Sequence, residues 1–165
     1  MRQELDQALC EKYPLIFKER HGDPRYTSMC WGFECKDGWY PLLDVLCSLL
    51  QQDFADAAER YASRRSDEGT VPYEGATVVT AVDVERARMA MSAAADAVPV
   101  AVQVKQKFGT LRFHVHSATP EQLAYIAFAQ AMSARTCELC GSLGEIRTGT
   151  WIRTLCQRHE DELNL

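Results

Sequence analysis

Apolar positions recur three and four apart along residues 2–13, where Leu5, Ala8, Leu9 and Tyr13 line one side of a predicted helix. Pro14 ends it, and a short apolar run, Leu15-Ile16-Phe17, leads into a polar, turn-rich stretch from Lys18 to Pro24. The longest helical signal covers residues 41–64. There Leu42, Leu43, Leu46, Leu49, Leu50, Phe54, Ala57, Ala58 and Tyr61 share a broad apolar face, and Pro41 suits the first turn. Such a face predicts the spine of the core. After a charged connector containing Gly and Pro, Thr77-Val78-Val79 reads as a short strand. Thr80-Ala81-Val82-Asp83 then opens a helix over residues 82–97 as a capping box, with Asp in place of Glu or Gln.

Past Pro99 the repeat switches to alternation. Val100, Val102 and Val104 alternate with Ala101, Gln103 and Lys105, and Leu111, Phe113 and Val115 alternate with Thr110, Arg112, His114 and His116. Joined by Lys107-Phe108-Gly109-Thr110, these segments predict a β-hairpin with one core face and one polar face. Thr119-Pro120-Glu121-Gln122 supplies an N-cap, an N1 proline and an N3 glutamine for a helix that runs to about residue 135. The predicted fold class is α+β, with helices packed on a small antiparallel sheet.

Chemistry concentrates after that helix. Cys137, Cys140, Cys156 and His159 follow the pattern C-x2-C-x15-C-x2-H, two ligand pairs of the types a tetrahedral Zn²⁺ takes. Gly141 provides a permissive turn after the first pair. Between the pairs, Glu145-Ile146-Arg147 and Trp151-Ile152-Arg153 read as a short hairpin, and Cys156 and His159 share a face where a terminal helix begins. Knuckle, hairpin and helix in that order resemble a treble-clef zinc finger. The predicted organisation is a core of residues 1–135 with a knuckle of residues 136–165 packed on it.

Four protein ligands leave no position for a reactive water, so the expected ion is structural rather than catalytic. Residues 141–155 contain no histidine of the kind a treble-clef nuclease places on its hairpin. His114-Val115-His116 lacks the glutamate of a zinc deaminase. Three other groups are candidates. Lys105, Arg112, His114 and His116 make either a polar site or a solvated sheet face. Cys30, Cys35 and Cys47 with His21 make either a second metal site or packed free thiols. Trp31, Phe33, Trp39 and Tyr40 make either core packing or a partner-binding surface.

Composition narrows the function classes. Net charge is −5, and residues 134–165 carry four arginines against five carboxylates, so no basic module for duplex binding stands out. No apolar run has transmembrane length, and no export signal opens the chain. With seven cysteines and a metal-type grouping, a reducing cytoplasm is expected.

Three long motifs, MCWGFECKDGWYPLLDVLCSLLQ, VAVQVKQKFGTLRFHV and SARTCELCGSLGEIRTGTWIRTLCQRH, resemble a family of small hypothetical proteins from tailed phages and prophages. The resemblance spans nearly the whole chain and carries no catalytic residues with it. It implies an accessory protein made inside an infected bacterial cell. The leading expectation is therefore a non-enzymatic protein that binds and modulates a host protein, such as a component of antiviral defence. A nucleic-acid-binding zinc module using Arg135, Arg147, Arg153, Arg158 and Trp151 is the second expectation. A nuclease or nucleotide hydrolase using His114 and His116 is the third.

Overall fold

A computed structural model describes residues 1–163. Its central hairpin pairs β2 (Val100–Lys107) with β3 (Thr110–His116). Phe108 and Gly109 turn it with φ of 53° and 79°, the doubly left-handed geometry whose twist matches that of the strands. A third strand, β1 (Phe33–Glu34), lies parallel to β2, with Phe33 opposite Val104 and Glu34 opposite Lys105. The sheet is therefore mixed rather than purely antiparallel. Two residues are too few to show an alternating pattern, so β1 has no sequence signal. A register shift between Ala101 and Gln103 turns Ala101 into the core opposite Val115. Val102, expected inside, is only half-buried, and its carbonyl accepts the Ser28 N–H at 2.9 Å.

The helices are α1 (Gln3–Lys12), α2 (Tyr40–Leu50), α3 (Gln52–Ser66), α4 (Ala81–Asp96), α5 (Pro120–Ser133) and α6 (Gln157–Leu163). The single helix expected over residues 41–64 is two. Gln51 leaves helical geometry with φ −114° and ψ 15°, and Asp53 sits in the first turn of the next helix, where a carboxylate opposes the dipole. Burial explains the split: α2 buries Leu43, Leu46, Cys47 and Leu50, whereas α3 buries Ala57 alone. The spine of the core is α2.

The chain divides into two compact units, residues 1–50 with 99–163, and residues 51–98. In the second unit α3 and α4 pack together. The expected strand Thr77-Val78-Val79 reduces to one isolated bridge between Val79 and Glu68. The capping box forms: the Thr80 hydroxyl accepts from the Asp83 N–H at 3.3 Å, and the Asp83 carboxylate accepts from the Thr80 N–H at 3.0 Å.

In the first unit α2 packs on α5, and α5 on β3. Phe17, Phe33 and Phe113 meet edge-on in the core, with the Phe17 and Phe33 centroids 5.0 Å apart. Asp6 and Arg20 form a two-pronged ion pair at 2.9 and 3.1 Å, and Asp6 also accepts the Phe33 N–H at 3.3 Å. That pair fastens α1 to the start of β1.

Phe33 and Trp39, at 4% and 0% exposure, belong to this core. Their assignment to a partner-binding surface is corrected: neither ring reaches solvent. Tyr40 is half-buried, and Trp31 is 70% exposed.

Residues 136–163 are stitched onto the same unit. Gly38 N–H donates to Glu138 O at 2.8 Å and Trp39 Nε1–H to Thr136 O at 2.8 Å. Thr154 Oγ1–H donates to Gly109 O at 2.5 Å, and Gln106 Nε2–H to Ile152 O at 2.6 Å. At Gly38 the two backbones touch: a β-carbon there would overlap Cys137 O and come within 2.6 Å of Gly141 N and Cys140 N. None of those backbone atoms can move aside as a flexible side chain would. Gly38→Ala should therefore cost about 1–3 kcal/mol or more and lower the melting temperature by several degrees. An unchanged melt would show that the knuckle does not bear on this turn.

Candidate metal centre

Local backbone chemistry shapes the first ligand pair. Gly141, at φ 79°, lets its N–H return to Cys137 O at 2.8 Å, while Cys137 N–H bonds Ser142 O at 2.7 Å. Strands β4 (Glu145–Arg147) and β5 (Arg153–Leu155) form the intervening hairpin, with Ile146 opposite Thr154. The second strand lies two residues later than its aromatic start at Trp151 predicted. Burial of Thr154 and Leu155 draws pairing toward the core, leaving Trp151 in the loop. Cys156 follows β5 directly and its carbonyl accepts the Glu160 N–H at 3.0 Å, so α6 starts under the second ligand pair. Arg147 binds Glu160 at 2.9 Å and ties α6 back to β4.

The ligand atoms of Cys137, Cys140, Cys156 and His159 all lie within 4.8 Å of one another. A tetrahedral ion with bonds of about 2.3 Å to sulfur and about 2.1 Å to nitrogen requires edges of about 3.8 Å between sulfurs and about 3.6 Å from sulfur to nitrogen. Cys140 Sγ and Cys156 Sγ are 3.8 Å apart, and His159 Nδ1 is 3.4 Å from both Cys137 Sγ and Cys156 Sγ. The four residues fit a tetrahedral metal ion. With Nδ1 facing the sulfurs, Nε2 lies 3.1 Å from Arg158 Nη2 and 3.7 Å from Glu162 Oε2.

Electrostatics differ between the two sulfurs of the first pair. Burial pushes the Cys137 thiol up, opposed by the N–H groups of Cys156, Cys140 and Leu139 aimed at its sulfur. The Ser142 hydroxyl and N–H hold Cys140 down to about 6. By contrast, burial and Asp6 push Cys10 up to about 12, and burial pushes Cys35 to about 12 and Cys47 well above its ordinary value.

The other candidates disperse. Among the described residues the C-terminal quartet is the one group of three or more such ligands close enough to share an ion, so Cys30, Cys35, Cys47 and His21 do not form a second site. Cys30 Sγ instead lies 3.3 Å from Thr27 O. Lys105 and Arg112 are register partners on the polar face of the sheet, next to Gln103 opposite His114. His114 and His116 are exposed there and line none of the clefts described here. A surface cleft of about 850 Å³ is walled by residues 56–90 and contains none of the quartet.

Two features had no sequence signal. Glu34, on β1, is the carboxylate of the sheet's polar face, and its Oε2 accepts from Gln103 Nε2 at 3.3 Å. Glu138, between the first two ligands, is buried, and burial raises its carboxyl above the usual range despite nearby Arg153 and the Lys36 N–H. Its position inside the C-x2-C spacer hid it, because spacer residues are usually solvated.

Metal-free protein should react selectively. Cys140 is largely thiolate above pH 6, so iodoacetamide labelling in chelator should rise through a midpoint near 6, and Cys10, Cys35 and Cys47 should stay unlabelled at pH 7. Metal loading should suppress the reaction. A midpoint near the ordinary thiol value of about 8.5 would contradict the assigned electrostatics.

No helix among the described residues is long and apolar enough to cross a membrane. Compared with protein-family models, curated proteins and solved structures, the chain matches none.

Proposed function

We propose that this is a zinc-stabilised, non-enzymatic protein of the cell interior that binds another protein through its α3–α4 unit. The observation that carries this reading is the packing of α4. None of its sixteen residues is buried. Val84, Ala87, Met91 and Ala94, spaced three and four apart, are half-covered, which accounts for the side that meets α3. A second apolar stripe, Val82, Met89 and Ala93, stays in solvent, with Val82 65% and Met89 61% exposed. A helix apolar on two sides has an interface to complete, and a protein surface completes it by burying that stripe. The loop before α4 adds exposed Val71, Tyr73 and Val78.

Zinc is the ion the donor set favours. Three thiolates and one imidazole in tetrahedral spacing suit Zn²⁺ over Mg²⁺ or Ca²⁺, which take oxygen ligands. All four positions are filled by protein, so the ion's role is to hold the fold, with about 10–16 kcal/mol of apparent binding free energy coupled to it. The phage resemblance of the motifs supports a host-cell protein as partner, and an antiviral defence component is the target such an accessory protein would meet.

Elemental analysis of protein purified without added metal should return close to one zinc per chain. Iron in its place, or no metal, would remove the ion from this reading. Immobilised wild-type chain should retain one host protein stoichiometrically from bacterial lysate. Val82→Glu with Met89→Glu should lower that capture at least tenfold while circular dichroism stays unchanged. Equal capture by the variant would refute α4 as the contact.

A further inference from the structure

Fewer than half of the eighteen lysines and arginines of this acidic chain are neutralised in place. Eight lysines and arginines pair with carboxylates, from Arg2 with Asp37 to Arg158 with Glu162. The polar face of the three-stranded sheet gathers three of the others on one surface. Lys105, Lys107 and Arg112 project there with His114 and His116, and among the described residues none of the three cations has a carboxylate partner. Arg112 Nη1 donates to Thr110 Oγ1 at 2.6 Å and Leu111 O at 2.9 Å, which fixes the guanidinium on the face. The one carboxylate of the face, Glu34, is engaged by Gln103.

The same face ends in aromatic side chains and a cleft. Phe108 is exposed at the hairpin tip, with Lys107 Nζ 5.5 Å from its ring centroid. Beside β2 a cleft of about 440 Å³ is lined by Lys36, Lys105, Trp151 and Arg153, with Glu34 and the buried Glu138 as its carboxylates. Trp151, 68% exposed, offers an open indole face.

We propose that this face binds single-stranded nucleic acid. Lys105, Lys107 and Arg112 meet successive phosphates, Trp151 stacks on an unpaired base, and Glu138 accepts from that base's amino group. Unpaired cations grouped on one face, Lys105 and Lys107 along β2 and Arg112 across from Lys105 on β3, fit a phosphate backbone, because each contact releases a counterion. A stacking ring beside them fits an unstacked base, which a duplex does not present. The face belongs to the sheet rather than to the four knuckle arginines the sequence singled out. Of those four, Arg153 alone lines the cleft, and Arg147 and Arg158 are bound to carboxylates. The proposal is independent of protein binding by α4.

Fluorescence anisotropy with the zinc-loaded full chain and fluorescein-labelled, mixed-sequence 12-mers tests it. Separate RNA and DNA single strands tell which sugar is preferred. Three phosphate contacts at about 0.7 each predict a salt slope near −2, which is about a twentyfold loss of affinity between 50 and 200 mM salt. Lys105→Gln with Arg112→Gln should weaken binding and flatten that slope to about −0.7. Trp151→Ala should weaken binding about tenfold. Both variants alter surface side chains, and unchanged circular dichroism and zinc content will show that they fold. No binding at 50 mM salt, equal binding by the charge variant, or equally tight binding of duplex or poly-glutamate would overturn the proposal.

Discussion

The structure turns on a contact between two stretches of bare backbone. Gly38 lies against Cys137, Cys140 and Gly141 so closely that no side-chain atom fits between them, and its N–H is bonded to Glu138 O. Around it, Trp39 is fully buried with its indole N–H on Thr136 O, and Thr154 caps the Gly109 carbonyl at the turn of the central hairpin. These bonds are spread over three separate parts of the first unit. The ligand-bearing loop is thereby held by packing and hydrogen bonds as well as by any ion. Short zinc fingers, whose folding energy is mostly metal binding, lack such support.

That arrangement bears on the chemistry of the quartet. Its sulfurs and imidazole stand at the edges a tetrahedral ion requires, with N–H and O–H groups of the surrounding backbone and Ser142 directed at the thiolates. Such preorganisation lowers the cost of gathering like charges around one point. Four protein ligands would fill every position of a tetrahedral ion, so a bound ion would add rigidity there, apart from the exposed surfaces of the two units.

Those surfaces differ in kind. The first unit has a continuous core and a sheet whose outer face collects unpaired cations. The second has Ala57 on α3, Val79 in the loop before α4 and Val98 at its C-terminal end as its buried side chains, and keeps apolar residues in solvent. Sparse burial places the α3–α4 unit at the low end of local stability, where segments that order on binding are found. Charge segregation on the sheet is a separate matter, since it needs neither a metal nor a partner to persist.

Much of this was legible in the chain itself. The ligand spacing, both capping boxes, the Phe108–Gly109 turn and the alternation of β3 are short-range patterns, set by residues within a turn or a strand of one another. Long-range contacts decided the rest. The apolar stripe of residues 41–64 gave no sign of its break at Gln51, because helix periodicity is blind to which half finds a core to bury in. Strand β1 and the burial of Phe33 and Trp39 follow from partners some seventy to one hundred positions away, so composition left the aromatic cluster ambiguous. The basic face was hidden in a net charge of −5, because a total records how many charges there are and only the fold decides which of them meet.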